Sequence, residues 1–101
     1  KIVASHSGAA DMKAYLFGSV GLDGVVFATS SSDGFTSTKK GVGFYRISSV
    51  GLNNYTVTAT MRYGFIGFIS IEKFGDYFDV KTYNTSGVAE DRGFDFVVFK
   101  R

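Results

Sequence analysis

The 101-residue sequence predicts an all-β fold, an antiparallel β-sandwich of the jelly-roll-like kind with about eight strands, and three observations carry that expectation. Glycine is abundant at 13 residues, proline is missing, and Thr, Val, Phe and Tyr are plentiful, which suits short strands joined by tight turns. Strand-like runs recur at about 8–12-residue spacing with turn signals between them. Helical periodicity is almost missing. Only SGAADMKAYLF (7–17) could hold a short turn, near residues 9–12, before the pattern becomes strand-like at Tyr15, Phe17 and Val20.

Taken in order, residues 2–5 read as a short first strand and 13–19 as the next. Gly21-Leu22-Asp23-Gly24 is a turn on the strength of its Asp-Gly pair, and 25–30 returns as a strand. Residues 31–40 read as a polar loop in which Phe35 stands alone, free to plug a neighbour. GVGFYRIS (41–48) is a strand, and 49–54 turns, where Asn53-Asn54 takes positive φ at little cost. YTVTATMR (55–62) alternates most cleanly: Tyr55, Val57, Ala59 and Met61 on one face, threonines and Arg62 on the other. Tyr63-Gly64 turns into 65–74, which reads as apolar on both faces. Residues 77–83 alternate again, and 93–100 closes the chain with FDFVVF, also two-faced, with Asp95 its one polar interruption. Two such strands exceed what one small sandwich covers, so a self-association surface is expected. Phe96→Ser is expected to weaken folding or assembly.

Length bounds the rest. Residues 1–101 are read as a single domain, which buries about 65% of its unfolded surface. The hydrophobic share of 45% excludes disorder as a class. Eleven basic and nine acidic residues give a net charge of +2, and Lys39-Lys40 is the longest basic run, so no nucleic-acid footprint is present. Without cysteine there is no disulfide and no thiolate metal site. No stretch is long and apolar enough for a membrane-spanning helix, and no membrane insertion is expected. The sequence opens at Lys1 rather than Met and is read as the C-terminal piece of a longer protein.

Several phrases together resemble a known family. They are KAYLF (13–17), KGVGFYRI (40–47), NNYTV (53–57), TYNTSG (82–87) and FDFVVF (94–99). In this order they are similar to the C-terminal domain of bacteriophage tail-fibre and tailspike proteins, which has an Ala-Trp strand, a Gly-Tyr strand, an Asn-Tyr strand and a final Thr-Tyr-Asn…Phe-x-Phe pair. The match spans about residues 11–100 and is most specific in the final pair. Tyr15 stands where the family has Trp, no proline precedes Leu52-Asn53-Asn54, and 65–74 is unusually aromatic. The resemblance implies a homotrimeric β-sandwich at the tip of a fibre. It implies binding of a bacterial cell-surface glycan or outer-membrane receptor, in a virion assembled in the host cytoplasm. It carries no catalytic residue.

His6, the one histidine, could ligate a metal only as three copies on a trimer axis, and an ordinary solvated or capping role is the simpler reading, so no metal or other cofactor is expected. Glycoside cleavage needs two acids flanking a cleft; Asp76, Asp79, Glu90 and Asp91 are the candidates, but acids in turns usually serve the backbone. Nothing supplies a shaped nucleophile or base, so the reading is not an enzyme, with a depolymerase fragment kept as a rival. The GxG of GVGFY leads into a strand, so it makes no phosphate cradle. Asn54-Tyr55-Thr56 and Asn84-Thr85-Ser86 match the glycosylation pattern at chance level. Sugar recognition combines exposed aromatic rings with Asn, Asp and Arg in loops. On that ground Tyr63, Tyr83, Asn84 and Arg92 are the candidate ligand-binding residues, although for any one of them an ordinary structural role in a turn is the simpler reading. The second functional expectation is a trimerisation and folding cap for the fibre shaft that touches no receptor.

Overall fold

Among the described residues seven antiparallel strands form: β1 (Ala14–Val20), β2 (Thr36–Gly41), β3 (Phe44–Ser48), β4 (Tyr55–Met61), β5 (Phe68–Lys73), β6 (Tyr77–Tyr83) and β7 (Phe94–Lys100). The computed structural model describes residues 14–52, 54–62, 64 and 66–100. The expected first strand at 2–5, the turn near 9–12, His6 and Tyr63 lie outside the described residues. Three strands form one sheet in the order β1-β7-β4, and four form the other in the order β2-β3-β6-β5. The chain lays one strand in the first sheet, a hairpin in the second, and repeats: β1, β2-β3, β4, β5-β6, β7. The fold is an all-β sandwich, as expected.

Period-2 alternation decides what fills the space between the sheets. Leu16, Val20, Tyr55, Phe94, Phe96 and Val98 point in from the first sheet; Tyr45, Ile47, Phe78 and Val80 meet them from the second. The rings interlock edge-on: Phe78 lies 5.4 Å from Phe96 and Phe35 lies 5.1 Å from Phe96. Two core tyrosines keep their hydroxyls bonded, as burial requires. Tyr45 Oη donates to the Leu22 carbonyl at 2.7 Å. Tyr55 Oη sits between the carbonyls of Phe74 and Tyr77, at 2.9 and 2.8 Å. Gly18 is required by space, because a Cβ there would run into the Phe35 and Phe96 rings. The other turn chemistry follows expectation: Gly21 and Gly24 close a turn through a 2.9 Å hydrogen bond, and Asn54 takes φ +49.

Four expectations are corrected. Residues 25–30 do not form a strand. Val26 makes one isolated bridge to Val20, and then the chain makes a single 3-10 turn, Ala28–Ser30. Beyond it two hydroxyls stand in for a strand: the Phe17 amide donates to Ser32 Oγ and the Ser19 amide to Ser31 Oγ, both at 3.0 Å. Second, the supposed loop 31–40 contains β2, which pairs with β3 from Thr36↔Ser48 onward. Third, Phe35 is not free; it packs on the core of its own chain. Fourth, β5 is not two-faced. Ile69 and Ile71 pack toward the core, whereas Phe68, Ser70 and Glu72 face out. In β7 the inward set is fully buried and the outward Asp95, Val97 and Phe99 are half-covered by neighbouring strands.

Candidate functional site

Strand register sorts the loops to two ends. Ala14 pairs with Phe99, so both ends of the described chain lie at one end of the sandwich, with residues 49–52, Asn54 and residues 74–76. Phe94 pairs with Met61 and Val20, and Tyr83 with Phe68, so Arg62, Gly64, Ile66 and Gly67 of the β4-β5 connection, and the connection 84–93, lie at the other. A strand of seven residues separates the ends by about 20 Å.

The 84–93 connection is built from its own side chains. Asn84 Oδ1 accepts the amides of Ser86 and Val88 at 2.9 and 3.1 Å, an Asx turn, and Gly87 closes it at φ +80. The chain then folds back along the end of β6. Ala89 bridges Tyr83, and buried Thr82 donates from Oγ1 to the Glu90 carbonyl at 2.7 Å. Asp91 Oδ1 accepts the Gly43 amide at 2.7 Å and pairs with Lys39 Nζ at 3.2 Å. Gly43, at φ +60, leaves no room for a Cβ, which would strike the Thr82 carbonyl and the Glu90 backbone. The backbone beneath Glu90 is therefore fixed from three sides.

On that support sits an ion-pair and amide network. Glu90 Oε1 accepts from Asn84 Nδ2 at 2.9 Å, and Glu90 Oε2 accepts from Arg92 Nη1 at 2.8 Å. Arg92 also donates to the carbonyls of Asp91, at 2.9 Å, and of Ile66, at 3.3 Å, so it ties the two connections together. The hydrogen bonds from Arg92 and Asn84 hold the Glu90 carboxyl below its ordinary value of 4.5. The Asp91 carboxyl is likewise lowered, chiefly by the Gly43 amide against a smaller opposing effect of burial, with Lys39 adding to it. Beside this network lies an open depression of about 360 Å³ lined by Gly64, Ile66, Asn84, Thr85 and Arg92. Ile66 is 73% exposed at its border.

Of the expected ligand-binding residues, Asn84 and Arg92 are brought together at this depression. Tyr83 is adjacent in sequence but half-buried on the outer face of the four-stranded sheet, opposite Phe68, and does not line it. Tyr63 lies outside the described residues. Glu90 and Ile66 were not singled out as ligand contacts. Glu90 gave a partial signal, as one of the candidate acids, but the fold-back that sets it between Asn84 and Arg92 depends on Gly43, far away in sequence.

The candidate acids do not share a cleft. Asp76 is at the end near Ala14, where its carbonyl accepts the Ser49 amide, and Asp91 is at the opposite end. Asp79 is buried on the outer side of β6 under a two-point contact with Arg46, at 2.8 and 3.2 Å. Among the described residues no group of three His, Cys, Asp or Glu is placed to hold a metal. A second depression, of about 370 Å³, lies between Phe35, Ser49, Val50 and Asp76 at the other end. A comparison of the chain with models of known families, with curated proteins and with solved structures found no match in any of the three.

Proposed function

We propose that the protein is a non-enzymatic receptor-binding domain, the C-terminal tip of a phage tail fibre or tailspike. In this reading it works as a homotrimer in the virion and adsorbs to a bacterial cell-surface polysaccharide. The observation that carries the reading is the gathering of Arg62, Gly64, Ile66 and Gly67 with the connection 84–93 at the end of the sandwich opposite Ala14 and Lys100. A rigid scaffold that displays loops on one end suits recognition. A shaft attached through the opposite end would leave these loops pointing outward. The depression there joins amide, hydroxyl and guanidinium groups to an exposed aliphatic side chain, the mixture a sugar ring asks for. The resemblance of the Thr-Tyr-Asn…Phe-x-Phe ending to fibre tips supports the same reading.

The test is adsorption of the fluorescently labelled protein to host cells. Saturable labelling, competed by purified surface polysaccharide, is the expected result; a well-folded trimer that leaves the cells unlabelled sinks it. A second reading, the trimerisation cap without a receptor, is favoured by a different observation. The outer face of the β1-β7-β4 sheet carries Tyr15 at 42% and Phe17 at 45% exposure, beside half-buried Val97 and Phe99. That face suits a contact between copies, and the same adsorption experiment separates the two readings. Release of sugar fragments from capsule or lipopolysaccharide on incubation would favour the depolymerase alternative instead.

A further inference from the structure

Tyr83 does not line the depression, yet the chain joins it directly to residues that do. Asn84 follows Tyr83, and Ile66 stands two positions before Phe68, the strand partner of Tyr83. Between them Gly67 lies on the Tyr83 carbonyl, where a Cβ would strike that oxygen. The start of β5 is thus held flat on the end of β6, and the border of the depression runs on into the outer face of these two strands. That face is ordered in rows. Phe68 and Tyr83 form the first; Ser70 and Lys81 the second, with Phe44 beyond; Glu72 and Asp79 the third, with Arg46 beyond. Successive rows lie about 7 Å apart, twice the rise of a strand residue. Phe68 is 57% exposed, although Ile69 and Ile71 beside it pack on the core. Lys81 Nζ lies 5.2 Å from the centre of the Phe44 ring, and Arg46 and Asp79 neutralise each other through two hydrogen bonds.

A contact between proteins loses its charged groups at the centre. A polyanion asks for a run of cations. A ring row followed by rows of hydroxyl, ammonium and carboxylate groups matches a chain of pyranoses, each with an apolar face and a rim of hydroxyls. We propose, resting on the glycan-binding reading above, that the binding surface continues from the depression over Phe68 and Tyr83, and that the ligand is an internal run of several sugar units in a polysaccharide rather than one terminal sugar. One unit sits in the depression against Ile66, Asn84 and Thr85. The next lays its apolar face on Phe68, with Tyr83 beside it, and Ser70 and Lys81 meet hydroxyls of the unit after that.

Because Phe68 is exposed, Phe68→Ala should fold, and because the sequence has no tryptophan, Phe68→Trp places a single indole at the same point while keeping a ring. The 101-residue protein, in its native oligomeric state, is titrated with fragments of bacterial O-polysaccharide and capsule graded from one sugar unit upward. Affinity is expected to climb with length beyond the first unit. Phe68→Ala should lose about tenfold for long fragments and bind single units as the wild type does. In Phe68→Trp the indole emission should move to shorter wavelength with long fragments and stay unmoved with single units. Affinity independent of length overturns the inference and leaves glycan binding standing. So does a length effect that survives Phe68→Ala with the indole undisturbed. Loss of the native oligomer in Phe68→Ala assigns the face to a contact between copies and overturns the inference as well. A wild type that binds no fragment and labels no host cell overturns the glycan reading and this inference together.

Discussion

Tyr45 shows how single polar atoms are accommodated in a core made largely of rings. Its side chain is fully buried, and burial, helped by the nearby Asp91 charge, pushes its phenol up to about 12 from 10.0. Tyr55 is raised by burial too. A raised acid keeps its proton longer in the folded state than in the unfolded chain, so the folded state binds more protons above pH 10 and stability falls as pH rises. Thermal melts should therefore lose temperature progressively between about pH 10 and 12, and Tyr45→Phe should flatten that slope. At neutral pH the same variant leaves the Leu22 carbonyl without its partner, a cost of about 1 kcal/mol readable by urea titration. Asp91 and Glu90 run in the opposite direction. Their folded values lie below the ordinary 3.8 and 4.5, so their contribution is present above those values and is lost as pH falls through the lower folded ones. Asp91→Ala leaves the Gly43 amide unpaired and should cost about 1–2 kcal/mol. An acid limb that stays unchanged in that variant would count against this assignment.

Among the elements, β7 carries the most. It is the central strand of its sheet, and Phe96 touches Phe35, Phe78 and Phe94. Phe96→Ser should cost about 3–5 kcal/mol, the range for losing a buried ring, and a wild-type melting curve would refute its core position. Gly18→Val tests the same spot from the other side. A side chain there must displace the Phe35 and Phe96 rings, an overpacking cost of about 1–3 kcal/mol. Strands such as β4, β6 and β7 were legible because their inward positions are apolar and regularly spaced; β6 begins and ends at Tyr77 and Tyr83 as read. β2 was illegible for the converse reason: its inward positions include Ser37 and Lys39, so pairing with β3, not patterning, makes it a strand. Residues 25–30 misled because Val25, Val26 and Phe27 look like a strand, while Ser31 and Ser32 supply the hydrogen bonds a return strand would have made. At the site, Asn84 was readable from turn chemistry, whereas the place of Glu90 comes from contacts with β6 and Gly43 that no local pattern announces.

For the molecule as a whole, the two outer faces differ in character. That of the β2-β3-β6-β5 sheet carries Arg46, Asp79, Lys81 and Glu72 among the rings of Phe44, Phe68, Tyr77 and Tyr83, while that of the β1-β7-β4 sheet carries aromatic, aliphatic and threonine side chains with Asp95 among them. Under the assembly proposed above, sedimentation equilibrium should give three times the 10.9 kDa chain mass. Val97→Lys should return a folded monomer, and a trimer unaffected by Val97→Lys would place the contact elsewhere. The serine pair beside β1 adds a constraint on how copies can meet. Ser31 and Ser32 consume the amides of Phe17 and Ser19 that would otherwise recruit a foreign strand. Joining copies by extending this sheet past β1 would first have to peel that segment away. Growth into a cross-strand polymer is thus blocked along this margin by two hydroxyl groups and by the amides of Phe27 and Ser32, which donate to the carbonyls of Ser19 and Phe17 at 2.9 Å; removing the hydroxyls with Ser31→Ala and Ser32→Ala should loosen the segment and make the particle more prone to edge-to-edge aggregation.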